Sequence, residues 1–174
     1  MTLSQPTPAQ EPNDQTRLGV ERWTASSGSG RDSRASIVLT GGGQRWRAHA
    51  DGNGAVDALM RAVDRALAPL LGQGVELTTY DVHATGPGHD TSAAVSISLR
   101  PRGEADAPLY PGRSVRENIL EASLEAYVEG VSRLLTERGV DLTKVPAPTS
   151  AADRESDTDA RDRARERLMS AYNG

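Results

Sequence analysis

The 174-residue chain contains no cysteine and no phenylalanine, and Lys144 is its only lysine. Without cysteine there is no disulfide framework and no thiolate chemistry, which fits a reducing compartment. With no Phe and only 3% aromatic residues, the core has to be assembled from Val, Leu, Ile and Ala. Such side chains each bury less area than an aromatic ring, so a modest core that gains from association is expected. No apolar run approaches the roughly 20 residues that span a bilayer. The N-terminal stretch is rich in Pro, Gln and Thr and has no apolar segment of the secretory type, so a cytoplasmic location is expected. Neither sign of charge dominates. A net charge of −4 gives no pull toward nucleic acid or an anionic membrane, and neither is expected as a partner.

What is present is punctuation by glycine and clean periodicity between the glycines. Residues 1–15 are polar and aperiodic and read as a disordered arm. Three strands follow, marked by Leu18, Val20 and Trp23, by Ala35 to Thr40, and by Trp46, Ala48 and Ala50, with glycine-rich turns at 28–32 and 41–43. Ala55 to Leu71 carries Val56, Leu59, Met60, Val63, Leu67 and Leu70 at helical spacing, with Asp57, Arg61, Asp64 and Arg65 opposite. Residues 75–84 read as a fourth strand. Thr91 to Arg100 read as a fifth, on the alternation of Ala93, Val95, Ile97 and Leu99, and Leu109-Tyr110 seed a short sixth. Ser114 to about Arg138 reads as a longer helix, with Ser114 and Glu117 at capping-box spacing. The order, three strands and a helix given twice, predicts an α+β domain of two repeated β-β-β-α units with a pseudo-two-fold. The boundaries expected are 16–74 and 75–138 for the two repeats of a single domain. A charge-dense tail over 139–174 follows, either a solvated segment or, around Arg161–Tyr172, a docking helix.

Four motifs occur in order along the chain: Gly52-Asn53-Gly54 before a helix, Tyr80 in a strand, Gly88-His89-Asp90 in a turn, and Gly112-Arg113-Ser114-Val115 with Ile119 and Glu121-Ala122-Ser123. Together they resemble the C-terminal regulatory (allosteric and dimerisation) domain of 2-isopropylmalate synthase and citramalate synthase. Ala55 stands where that family carries proline, Thr78 and Thr79 replace Leu and Asp before the tyrosine, Thr91 stands for alanine, and Ser114 for a second glycine. The resemblance covers about residues 16–138 and leaves the catalytic barrel of those enzymes without a counterpart. It implies a two-fold dimer binding a branched-chain amino acid, leucine foremost, that regulates a separate catalytic synthase subunit or senses the amino acid itself. It implies no catalytic residue, no metal and no cofactor. Matched by position, the ligand pocket involves Val56, Asp57, Leu77, Tyr80, Ala84, Thr91, Ala93 and Ile119. Gly52, Asn53, Gly54 and Gly112 form the turns that expose helix N-termini to a carboxylate, and Asp57 or Asp90 holds the ammonium.

Other readings stay open at this stage. The Gly52–Gly54 turn serves equally as a plain strand-to-helix connection; it lacks the spacing of a dinucleotide fingerprint and the Gly-Lys-Ser/Thr of a phosphate loop. The same dimer without any ligand is a structural module. His83, His89 and Asp90 are close enough in sequence to suggest a small metal-dependent enzyme. Trp46, flanked by Arg45 and Arg47, invites RNA stacking, but the acidic balance of the chain favours packing for both tryptophans.

Overall fold

The computed structural model describes residues 17–88 and 91–145. Strands β1 (Gly19–Gly28), β2 (Arg31–Gly41) and β3 (Gln44–Gly52) form one antiparallel meander, followed by α1 (Ala55–Ala66) and the single turn α2 (Ala68–Leu71). Strands β4 (Val75–Ala84), β5 (Ala93–Pro101) and β6 (Tyr110–Arg116) form a second meander, followed by α3 (Ile119–Glu137). The fold is therefore α+β with two β-β-β-α units, as the sequence pattern predicts. The tight β2–β3 connection is Gly42-Gly43, both at positive φ (57° and 76°), where a side chain would be strained.

The strand registers of the two units repeat each other. Trp23 pairs with Ile37 on β2, as Tyr80 pairs with Ile97 on β5. Leu39 pairs with Trp46 as Leu99 pairs with Tyr110. A register shift near the start of the first strand falls at the same place in each, between Val20 and Arg22 and between Leu77 and Thr79; β1 has a second, between Ser26 and Gly28. A bulge bends and twists its strand, so both sheets curl alike over their helices. Ala35, Ile37 and Leu39 in one sheet and Val95, Ile97 and Leu99 in the other alternate inward and are buried, because a period of two puts every second residue on the helix-covered face. Against them α1 lays Ala58, Leu59, Ala62, Val63 and Ala66, while α3 lays Leu124, Tyr127, Val128, Val131 and Leu135. Each buried Leu or Val is worth about 1.5–3 kcal/mol, so small residues suffice if there are enough of them.

The structure corrects the sequence reading in four places. Gly112 is not at a helix-opening turn but inside β6, where a Cβ would sit 1.8 Å from the Ala126 carbonyl oxygen; the glycine lets α3 lie directly on the strand. Ser114 does not cap a helix. It lies in β6 and donates to Glu125 Oε2 at 2.5 Å, while α3 starts at Ile119 with the Asn118 side chain accepting from the Leu120 amide at 2.9 Å. The helix expected to reach Leu71 stops at Ala66. Pro69, which has no N–H and would crowd the carbonyl four residues back, is accommodated only by restarting the helix at Ala68. Strand β6 runs on to Arg116, longer than Leu109-Tyr110 alone suggested. The arm at 1–15 and the tail from 146 onward lie outside the described residues. Within 139–145 the chain turns back, and Leu142 is buried beside Gly41 and Gly42.

The units meet through their helices. The Tyr127 hydroxyl on α3 donates to Asp64 Oδ1 on α1 at 2.7 Å, and α3 also reaches β1, where the Leu18 amide donates to buried Ser132 Oγ at 2.9 Å. The coverage is unequal. α3 has 19 residues and α1 only 12, and β4 is exposed at every position after Val75.

Candidate functional site

The uncovered strand carries three of the residues singled out by sequence. Leu77, Tyr80 and Ala84 stand opposite Leu99, Ile97 and Ala93 of β5, so all three lie on the face that α3 covers elsewhere. Leu77 (38%), Tyr80 (37%), Val82 (37%) and, at the start of α3, Ile119 (44%) are large apolar side chains left open to solvent. A short polar relay joins two of them, Tyr80 and Ile119. Ser123 Oγ donates to the Ile119 carbonyl at 2.6 Å, which leaves its lone pair to accept the Tyr80 hydroxyl at 2.8 Å. The relay ties β4 to the first turn of α3 and brings Tyr80 and Ile119 together. Thr91 lies two residues before β5 begins at Ala93, and its Oγ1 is buried with no hydrogen-bond partner among the described residues.

Val56 and Asp57 belong to the first unit, at the start of α1. Asp57 is already engaged. As the third residue of a helix whose cap, Gly54, has no side chain, it reaches back to accept the Asn53 amide at 3.0 Å and pairs with Arg61 one turn on, at 2.9 Å. Burial pushes its carboxyl up, but the Arg61 and Asn53 hydrogen bonds outweigh that and hold it below the ordinary carboxylate value. Gly52 ends β3 so close to α1 that a Cβ would lie 2.5 Å from the Ala58 nitrogen. The Gly52-Asn53-Gly54 turn thus has a packing role of its own, and Asp57 serves the end of the helix.

Of the proposed metal set, His83 lies on β4 and is exposed, while His89 and Asp90 lie outside the described residues. Among the described residues no three His, Cys, Asp or Glu side chains are placed to share a metal ion, and no helix is long and apolar enough to cross a membrane. The roles of four residues escaped the sequence reading. Val82 was findable from the alternation of β4. Ser123 stood inside a quoted motif with no role given. The Asp64–Tyr127 pair joins positions 63 apart and has no local signal.

A family model described as the LeuA allosteric (dimerisation) domain matches residues 7–135. A 2-isopropylmalate synthase of Nitrosospira multiformis is 35% identical over 111 residues, 64% of this chain and 20% of the relative. Another, of Pelotomaculum thermopropionicum, is 34% identical over 116 residues, 67% and 22% of the two chains. A Methanopyrus kandleri protein named as an (R)-citramalate synthase is 36% identical over 123 residues, 70% and 23%. The chain thus spans about a fifth of the length of these relatives, and what it matches is their regulatory part, not the catalytic one. The two-unit fold, the repeated bulges and the family match converge, and the chain belongs to the LeuA allosteric (dimerisation) domain family.

Proposed function

We propose that residues 16–138, with repeats 16–74 and 75–138, act as a regulatory domain that forms a homodimer and binds a branched-chain amino acid, leucine foremost, without catalysing a reaction. The tail over 139–174 lies outside that unit, and the protein works in the cytoplasm. The single observation that carries this reading is the apolar face of β4 beside the start of α3. Leu77, Tyr80, Val82 and Ile119 stay more than a third exposed, whereas the equivalent face of β1 is partly covered by α3. Contiguous exposed apolar surface on a soluble domain marks a contact site. A second copy laid on it would close a crevice walled by Leu77, Ala84, Ala93 and Ile119, with the free amides of a helix start for a carboxylate. The effector would then act on a catalytic synthase subunit, by analogy with the relatives' names. Isothermal titration with leucine, isoleucine and valine, paired with sedimentation, tests this. Saturable heat from one of them on a dimeric protein is expected, and a ligand at ~100 times its Kd should add ~2.7 kcal/mol of stability. No heat from any of the three, on a protein that stays dimeric, would leave the ligand-free structural module. That second reading is favoured by Asp57 being tied to Arg61 and Asn53, and by the polar Thr91 just before β5.

A further inference from the structure

The two sheets turn different faces to solvent. Ala35, Ile37 and Leu39 point at the helices, so the residues between them and their partners in register form the outer face of the first sheet. Leading away from the Gly42-Gly43 turn, its rows are Thr40 beside Arg45, then Arg22, Val38 and Arg47, then Thr24, Ser36 and His49, then Ser26, Arg34 and Asp51. All four arginines are exposed. Arg45 is paired with Glu21, and Arg34 with Asp51 at 3.3 Å. Arg22 and Arg47, on either side of Val38 in one row, have no ion pair and no side-chain hydrogen bond among the described residues. Glu21 shows what this surface does to an acid. The Arg45 hydrogen bond, with the charges of Arg45, Arg22 and Arg47 behind it, outweighs desolvation and holds its carboxyl below the usual carboxylate value. The outer face of the second sheet has no such excess, because Asp81 stands in the row of Ser96 and Arg113, and Glu76 pairs with Arg100 at 3.2 Å.

The C-terminal part of the chain arrives at this same sheet. Leu142 is buried against the β2–β3 turn, where a Cβ on Gly42 would lie 2.6 Å from the Leu142 carbonyl carbon and 2.7 Å from the Thr143 nitrogen. The described residues therefore stop, at Val145, close to the Thr40–Arg45 row. Beyond them the sequence runs Pro146-Ala147-Pro148 and then, over 153–159, carries Asp153, Glu155, Asp157 and Asp159 against the one arginine, Arg154. Extended backbone, which Pro146 and Pro148 favour, covers about 25 Å between Val145 and Asp153. The Arg22–Val38–Arg47 row is only about 10 Å from the turn, so the acidic stretch reaches it with length to spare. The N-terminal arm leaves from the same end of the sheet, beside Gly41, but its acids are only Glu11 and Asp14.

We propose that the acidic stretch Asp153–Asp159 of the chain's own tail lies across the outer face of the first sheet, its carboxylates on Arg22 and Arg47, and so closes that face to acidic partners. Exposed ion pairs are individually weak. A tether of this length supplies an effective concentration on the order of millimolar, enough for a few such pairs to hold a segment that would not bind as a separate peptide. The stretch lies past the residues matched by the family model, which end at 135.

Cysteine is absent from the chain, so a nitroxide on Ser156→Cys marks the tail of the whole protein at a single place. In 15N NMR spectra the label should broaden the amide signals of Thr24, Ser36 and Arg47 and leave those of Ser96 and Ser98, on the outer face of the second sheet, sharp. Salt at about 1 M, where the screening length falls to about 3 Å, should restore the broadened signals. Arg22→Glu combined with Arg47→Glu should restore them too, as should Asp153→Lys combined with Asp159→Lys, the spectrum with the label reduced showing that each variant keeps the fold. Broadening of neither sheet, or of both alike, overturns the proposal, as does broadening that survives both charge reversals. Mixing spin-labelled protein with 15N-labelled protein that lacks the nitroxide separates the chain's own tail from that of a second copy. An unbroadened first sheet in the mixture is expected; broadening there as strong as in the doubly labelled sample places the stretch on a neighbouring molecule and overturns the proposal.

Discussion

Replacing Asp64 by Asn should make the protein more stable at neutral pH, although it removes a carboxylate that sits among arginines. The Asp64 carboxyl loses more to burial than it regains from the Tyr127 hydroxyl, Arg102 and Arg61, and its pKa rises from 3.8 to about 6. An acid whose folded pKa is raised is fully tolerated below its unfolded pKa, where both states are protonated. Between pH 3.8 and about 6 the unfolded chain ionises and the folded one does not, so stability falls as the pH rises, and above pH 6 the loss is constant. The gap between the two values corresponds to about 3 kcal/mol at pH 7.5. Asn cannot ionise, and its Oδ1 still accepts the Tyr127 hydroxyl, but it gives up the attraction of Arg102. The expected net gain is therefore about 1–3 kcal/mol at pH 7.5, shrinking to nearly zero at pH 4. Urea unfolding of both proteins at fixed concentration, from pH 4 to pH 8, measures it. A variant less stable than the parent at pH 7.5, or a difference that does not change with pH, would refute the reasoning.

Three further outcomes are expected. Gly112→Ala should cost roughly 3 kcal/mol or more or abolish soluble expression, because its Cβ has no space against the Ala126 carbonyl; Gly28→Ala, with nothing within 4 Å, should be near neutral, and denaturant midpoints separate the two. Asn118→Ala should lower stability by about 1 kcal/mol by releasing the Leu120 amide, seen as an earlier thermal transition. Val82→Glu should leave stability within about 0.5 kcal/mol, since the side chain is 37% exposed, yet convert a dimer to a monomer at micromolar concentration in sedimentation velocity; a persistent dimer mass would remove β4 from the interface.

The fold was legible because its elements are strongly periodic. Ala93, Val95, Ile97 and Leu99 can be nothing but a half-buried strand, and the apolar residues from Val56 to Val63 nothing but a helix face. The misreadings share a cause: local chemistry supported two structures and a distant contact chose. Gly112 followed by an apolar helix resembles a turn, and only the arrival of Ala126 and Gly130 makes it a strand residue. Ser114 and Glu117 have the spacing of a cap, but Glu125 claims the serine and Asn118 supplies the cap. At the candidate site, the co-location of Tyr80, Ala84, Ala93 and Ile119 follows from strand register and from a hydroxyl relay through Ser123. The engagement of Asp57 by Asn53 and Arg61 had a local signal, the three-residue spacing from Gly54, that went unread. Asp64 and Tyr127 had none, since a contact between two repeats leaves no trace in the periodicity of either.

Among the described residues no strand pairing crosses the Gly72-Gln73-Gly74 connection, and each sheet lies on its own side of it. A chain nicked there would keep every ladder and both helix–sheet layers. It would lose only the tether, whose worth is an effective concentration on the order of millimolar. The two fragments would have to find each other through the α1–α3 seam, the Leu18–Ser132 bond and the docking of Leu142 at Gly41. Their reassembly constant, measured by mixing them, would give the strength of that seam in isolation, a quantity the intact chain never reveals.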